Sequence, residues 1–193
     1  MHSRTRVFIA AAVVAVFAAL SAVALATSPH FKKGGTPTCA ISGNGTTTVS
    51  AECTGTLAGL GSGDLSTPVT LTGFAVYQCQ NGGGRTAPGQ NKVLIGPTTT
   101  PTVTPASAIK NGNVTFDTNN PAVPSLTAGA TASAADAGCP NGNWTGVNPV
   151  LTLTDISQTI SQPPGPELFT CFASNPAGFD ALNTIAALLG SLC

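Results

Sequence analysis

Six cysteines are the residues of this chain whose spacing says most about their chemistry. They are Cys39, Cys53, Cys79, Cys139, Cys171 and Cys193. No two of them form a C-x-x-C knuckle, and both histidines, His2 and His30, precede all six, so the spacing does not match a zinc site. An even set of widely spaced cysteines in an exported chain is typical of disulfide bonds. We therefore expect disulfides, no metal site and no cofactor.

Two similar segments suggest one of the pairings. Residues 79–82 (CQNG) and 139–142 (CPNG) each place a cysteine at the predicted end of a strand, beside a turn. A bond between Cys79 and Cys139 would join two loops at one end of a sandwich. Cys53 with Cys171 and Cys39 with Cys193 would complete the set, although Cys193 is also placed to pair between molecules.

Catalytic side chains are few. Acyl transfer needs a nucleophile beside a base, usually histidine, and the chain after its predicted signal offers His30 for that role. Hydrolysis of a glycoside needs two carboxylates across a sugar. The acidic residues are spread singly through predicted turns and strands: Glu52, Asp64, Asp117, Asp136, Asp155, Glu167 and Asp180. Single acids of this kind are usually turn formers, so we expect no enzyme; calcium at Asp64 or Asp136 is the alternative for the acids.

Two aromatic residues carry both an apolar ring and a polar group. Tyr77 and Trp144 are the single tyrosine and the single tryptophan of the chain. One interpretation places them in the core. The other places them in a ligand face for a carbohydrate or small molecule, with polar loop residues beside them. That candidate face consists of Tyr77, Arg85, Gln90, Asn141, Asn143 and Trp144.

The first residues have the pattern of an export signal. Arg4 and Arg6 precede an apolar stretch, residues 7–25, and residues 24–26 (ALA) form a signal-peptidase site. We expect residues 1–26 to be a signal peptide cleaved after Ala26, which leaves no membrane span. The alternative is an uncleaved membrane anchor. Residues 27–36 are polar and glycine-rich, and they predict a flexible leader.

Charge excludes one class of partner. After the predicted signal, five basic side chains stand against seven acidic ones, a net charge of −2. Binding to nucleic acid needs clustered Lys and Arg that neutralise phosphates, and five scattered cations do not provide such a cluster. The sequence therefore predicts no nucleic-acid partner.

The central part of the chain has the pattern of an all-β protein. Short stretches rich in Val, Thr, Ile and Leu alternate with Gly, Pro and Asn clusters over residues 37–173, which predicts one β-sandwich domain. Residues 43–45 (GNG) predict a hairpin turn. Residues 69–79 (VTLTGFAVYQC) form the strongest strand pattern, and Gly73 within it suggests a bulge that moves Phe74 and Val76 to the buried face.

The C-terminal segment has a different period. Apolar residues recur at helical spacing after residue 174, at Phe179, Leu182, Ile185, Ala186 and Leu189. Residues 174–193 are therefore predicted to form a short helical tail. The expected fold is a single antiparallel β-sandwich of Ig-like or Greek-key type, with a short C-terminal helix and stabilising disulfides.

Several segments together resemble a family of small exported proteins of actinobacteria and related bacteria. They are residues 59–64 (GLGSGD), 79–84 (CQNGGG), 87–91 (APGQN), 110–116 (KNGNVTF), and 139–141 with 144–145 (CPN and WT). The resemblance covers residues 39–171. It implies an extracellular β-sandwich, and it supplies no activity or site residues because that family is uncharacterised.

Two functions fit these patterns. The first is a secreted, non-catalytic structural or interaction module of the bacterial cell surface or extracellular matrix, with cell-wall polymer or another surface protein as partner. The second is a carrier of a small apolar ligand in a cleft of the β-sandwich. A deep apolar pocket would favour the carrier, and a filled core with an exposed flat face would favour the module.

Overall fold

The computed structural model describes residues 28–179 and Cys193. The predicted signal peptide lies outside these residues, and so does the predicted C-terminal helix beyond Phe179. The described strands are β1 (His30–Phe31), β2 (Thr38–Ser42), β3 (Thr48–Ala58), β4 (Leu65–Ser66), β5 (Val69–Asn81), β6 (Thr86–Thr100), β7 (Val103–Thr104), β8 (Val114–Asp117), β9 (Ser125–Thr127), β10 (Thr131–Ala132), β11 (Trp144–Ser161) and β12 (Glu167–Ser174). A 3₁₀ turn spans Ala106–Ala108, and a short helix, α1, spans Ala134–Ala137.

The strands form two antiparallel sheets that pack face to face. Sheet I has β3 at its centre, paired with β1, β2, β8 and β9. Sheet II contains the long strands β6, β5, β11 and β12 in that order, with β4, β7 and β10 added at its margins. The chain crosses from β7 of sheet II to β8 and β9 of sheet I, and then returns to sheet II with β10 and β11, the latter beside β5. The predicted all-β antiparallel sandwich with disulfides is therefore confirmed.

Strand β5 follows the two-residue period of a sheet with one buried face. Val69, Leu71, Ala75, Tyr77 and Cys79 are buried and point between the sheets. The prediction that Gly73 moves Phe74 and Val76 to the buried side is wrong, since both lie on the outer face.

The reason is that the extra residues lie on the neighbouring strands. Between the pairs Leu71–Thr98 and Gly73–Ile95, strand β6 carries one residue more than β5, and β11 does the same at Thr154. The alternation of β5 therefore continues unbroken. Gly73 is needed for another reason: a Cβ there would lie 2.4 Å from the carbonyl oxygen of Thr152.

The space between the sheets is filled by two hydrophobic clusters. The larger one surrounds Leu71, Leu126, Leu151 and Ile156, and the smaller one surrounds Phe116. Phe116 pairs with Gly55 across β3 and β8, and its ring occupies the position that a side chain at Gly55 would take. This arrangement leaves the large side chains of the interior almost fully buried.

The segment predicted to be a flexible leader is part of the sandwich, which corrects that prediction. Strand β1 pairs with the end of β3, at Leu57 and Ala58. The ring of Phe31 lies 4.4 Å from the ring of Phe169, measured between centroids. Strand β1 could not be predicted from this polar, glycine-rich sequence, because a strand of two residues shows no hydrophobic period.

The C-terminal end of the described segment is also anchored. Phe179 is buried, and its backbone N–H donates a hydrogen bond to the carbonyl oxygen of Leu153. The side-chain amide of Asn44, in the β2–β3 turn, donates to the carbonyl oxygen of Phe179 and accepts from the N–H of Leu153. The β2–β3 turn and the residues after β12 therefore cover the part of the β11 edge that β12 does not reach.

Candidate functional site

The cysteines form three disulfides, and one of them is the pairing expected from the sequence. Cys79 is bonded to Cys139, with 5.7 Å between their Cα atoms. The other two expected pairings are wrong, because Cys39 bonds Cys53 and Cys171 bonds Cys193. Cys39 and Cys53 are direct cross-strand partners in β2 and β3. Chains with several disulfides usually belong to oxidising compartments.

The candidate ligand face predicted from the sequence does not form as one surface. Tyr77 is 3 % exposed, and its hydroxyl donates a hydrogen bond to the carbonyl oxygen of Gly129 at 2.9 Å. It is a core residue because β5 turns its odd-numbered side chains inward. Gln90 lies on β6, in a surface groove with Lys92 and Asp136.

The other residues of that face are closer together, at the end of sheet II tied by the Cys79–Cys139 bond. Trp144 is half-buried and pairs with Asn81, whose backbone N–H donates to the carbonyl of Arg85. Asn141 is exposed, and its side-chain oxygen accepts from the N–H of Asn143. Asparagine side chains at this end therefore hydrogen-bond within the turns beside the disulfide, which is a structural role rather than a binding role.

The burial of Tyr77 makes one consequence testable by pH. Burial raises the pKa of its phenol above the ordinary value of about 10. Below that value the folded and unfolded states both hold the proton, so stability does not change. Above it the unfolded chain loses its proton first, and the free energy of unfolding should fall as the pH rises toward the folded pKa.

Urea unfolding from neutral to alkaline pH measures this fall, and the tyrosinate absorbance reports Tyr77 alone because the chain has one tyrosine. Tyr77→Phe should cost about 1 kcal/mol at neutral pH, through the lost hydrogen bond to Gly129. The variant should also lose the part of the alkaline fall that the phenol causes. An identical fall in the variant would assign it to other chemistry, such as alkaline attack on the disulfides.

Most of the described acids accept hydrogen bonds, some from neighbouring residues and some across the fold. The Asp64 carboxylate accepts from the N–H of Ala106, at the start of the 3₁₀ turn, and Asp136 accepts from the hydroxyl of Ser133, the N-cap of α1. Asn119 joins Asp117 and Glu52, donating to both from its amide nitrogen. Asp136 fits the interpretation of the single acids as turn formers, whereas Asp64 binds the start of a turn 42 residues away.

Within residues 28–179 and Cys193, no three His, Cys, Asp or Glu side chains come close enough to hold a metal ion. No helix in that same part has the length and apolar character needed to cross a bilayer.

The most distinctive surface of the described chain is the outer face of sheet II. We define it by the outward side chains of β6, β5, β11 and β12 between the levels of Val76 and Thr70. Phe74, Val76, Leu94 and Val150 form an apolar patch there, with Leu94 70 % exposed and Val150 48 % exposed. Phe172 on β12 is also exposed. Large exposed apolar side chains that share one face mark interaction surfaces.

Charge is scarce on this face. Lys92 lies at one side, with its ammonium nitrogen 4.0 Å from the centroid of the Phe74 ring, a cation–π contact. Asp155 lies on β11 and accepts a hydrogen bond from the hydroxyl of Thr154. The rest of the face consists of threonine and serine hydroxyls, such as the pair formed by Thr70 and Thr99, whose oxygens are 2.7 Å apart.

A groove borders the apolar patch. It encloses about 490 Å³, and its floor includes Val76, Ala87, Pro88 and Val150. At its rim the amide of Asn148 donates to the side-chain oxygen of Gln78 at 2.9 Å. The groove lies on the outside of sheet II rather than between the sheets.

Sequence reasoning missed this surface because it assigned Phe74 and Val76 to the core. The signal was nevertheless present. An unbroken period of two from Val69 to Cys79 puts Phe74 and Val76 on the same side as Thr70 and Thr72, and polar residues on that side indicate the solvent face.

Comparison of the sequence with models of known protein families gives no match, and comparison with curated proteins gives none either.

Proposed function

We propose that this protein is an exported, non-catalytic structural or interaction module of the bacterial cell surface or extracellular matrix, and that the outer face of sheet II is its contact surface. One observation carries the proposal: exposed apolar side chains are gathered on a single, almost uncharged sheet face. Leu94, Val150 and Phe172 are the most prominent of them.

The filled interior supports the module over the carrier. A carrier of the kind expected from the sequence would hold its ligand between the sheets. In this chain Leu71, Leu126, Leu151 and Ile156 pack into one cluster there and are nearly inaccessible. The described grooves at Val76 and at Lys92 lie on the outer surface of sheet II and along β6.

The disulfides and the predicted signal peptide support the proposed location. Three disulfides would be reduced in a bacterial cytoplasm and persist outside it. The predicted signal over residues 1–26 would deliver the chain there. A surface rich in threonine and serine, with few charges, stays hydrated without repelling a neutral neighbour.

A small-ligand carrier remains the second candidate, on the observation of the apolar-floored groove beside Val76 and Val150. Its volume lies within the usual range of ligand pockets, about 300–1,000 Å³. A ligand would then rest on the outside of the sheet, with the Gln78 and Asn148 amides as its polar contacts.

Carbene footprinting of the protein on intact cells tests the proposal. We expect Leu94, Val150 and Phe172 to be labelled several-fold less on cells than in dilute purified protein, because a neighbour covers them. Val123, which is 39 % exposed in a loop away from this face, is the matched control and should be labelled equally in both samples.

Equal labelling of Leu94 in the two samples would contradict the contact surface. Native mass spectrometry of the protein from culture medium separates the two candidates. A discrete added mass that Val150→Asp abolishes would favour the carrier, and protection of the face without added mass would favour the module.

A further inference from the structure

We propose that the occupant of the outer face of sheet II is a second copy of this chain, in a two-fold symmetric dimer centred on Phe74. The inference rests on the proposed function, since it names the partner of the same surface. It is carried by the register of β6, β5 and β11 and by the positions of the two charges of the face.

The strand register fixes the layout of the face. Val76 lies between Lys92 of β6 and Val150 of β11. One step further along β5, Phe74 lies between Leu94 and Thr152. A further step brings Thr72 opposite Asp155 of β11.

Phe74 is therefore the midpoint between the two charges. Lys92 lies on the β6 side of Phe74, at the level of Val76. Asp155 lies on the β11 side, at the level of Thr72, so the two charges are diagonal to each other across Phe74. A two-fold axis in the plane of contact that passes over Phe74, perpendicular to the line from Lys92 to Asp155, exchanges these two positions. Each Lys92 then meets the Asp155 of the other copy, and the two Phe74 rings meet on the axis.

This self-complementarity is what a two-fold interface requires, because the same patch must serve both copies. A face with one positive and one negative charge, placed symmetrically about an aromatic residue, matches itself. In the dimer the Lys92 ammonium gives up the weak cation–π contact with its own Phe74 ring and pairs with the opposing carboxylate. The freed rings pack together with the apolar patch around them.

The size of the face predicts a weak dimer. Strands β6, β5 and β11 lie about 4.8 Å apart with outward positions about 7 Å apart, and β12 adds positions only at the levels of Thr72 and Thr70, so the face covers on the order of 500 Å² per copy. A standard stable interface buries about 800 Å² per partner. We therefore expect association in the micromolar range, strengthened where the protein is concentrated at a surface.

Analytical ultracentrifugation of the purified, disulfide-intact protein over a concentration series tests this inference. The wild type should show a concentration-dependent monomer–dimer equilibrium. Lys92→Glu should raise the Kd at least about tenfold, as should Asp155→Lys, because each places like charges opposite one another. The double variant Lys92→Glu with Asp155→Lys should return the Kd to near the wild-type value.

Lys33→Glu makes the same change of charge at an exposed position away from this face, and should leave the Kd unchanged. Far-ultraviolet circular dichroism checks that each variant is folded. A strictly monomeric wild type at millimolar concentration, or a double variant no better than the singles, would overturn the dimer. The footprint on cells is read separately, so a monomer whose face is protected on cells would leave the proposed function standing with another partner.

Discussion

Replacing both Cys79 and Cys139 by alanine is expected to lower the free energy of unfolding by about 4 kcal/mol. The bond closes a loop of 60 residues, and in the chain-entropy model a loop of this length restricts the unfolded chain by about that amount. Cys79 is fully buried on the inner face of β5, so the lost packing adds to the effect. Urea unfolding of the double variant against the wild type, both without reductant, measures the difference.

The Cys39–Cys53 bond provides the matched comparison. It closes a loop of 14 residues, and the same model gives about 3 kcal/mol. Moreover, these two cysteines are already held opposite each other by the β2–β3 ladder. We expect the Cys39→Ala and Cys53→Ala double variant to be the more stable of the two. Cys39 and Cys53 are also fully buried, so the reverse order would show that lost packing outweighs loop length in setting the stability of the two variants.

The sequence predicted the Cys79–Cys139 pairing correctly and the pairings of the other four cysteines wrongly, and this difference has a physical explanation. Turn chemistry around Cys79 and Cys139 is local and can be recognised in the sequence. The partner of Cys39 depends instead on the register of the β2–β3 hairpin, in which Cys39 lies opposite Cys53. That register depends on how many residues the turn contains, and a threonine-rich run after Gly45 can join either the turn or the strand.

The fold class followed from composition and period, whereas several boundaries did not. The composition of residues 80–90, rich in glycine, favours a long loop, but β5 continues to Asn81 and β6 begins at Thr86. Glycine and proline lower strand propensity without excluding an edge strand, and β6, which pairs along its length with β5, carries Pro88 and Pro97. Tertiary pairing with a strong central strand overrides the local preference.

The candidate site was less predictable than the fold. The predicted ligand face was built around Tyr77 and Trp144 because polar aromatic residues often line binding sites. The strand period of β5 turns Tyr77 into the core, and Trp144 packs, partly buried, against the same cluster. The surface with the stronger signal consists of ordinary aliphatic residues such as Leu94 and Val150. Only the three-dimensional pairing of β5, β6 and β11 brings them to one face.

One buried residue departs from the rules that the rest of the core follows. Gln158 lies on the inner side of β11, between Ile156 of the larger cluster and Ile160 of the smaller one, and is fully buried. Among the described residues, neither its side-chain nitrogen nor its side-chain oxygen has a hydrogen-bond partner. An unpaired polar group in a protein interior costs about 1–3 kcal/mol.

We therefore expect Gln158→Met to raise the free energy of unfolding by about 2–3 kcal/mol, because methionine fills a similar volume with an unbranched side chain and has no amide to desolvate. Urea unfolding at neutral pH measures the gain. Gln158→Ala is the control: it removes the amide but leaves a cavity, so it should fall well below the methionine variant. A loss of stability in Gln158→Met would show that the Gln158 amide is hydrogen-bonded in solution. The boundary between the two hydrophobic clusters would then hold a polar contact rather than an unpaired amide.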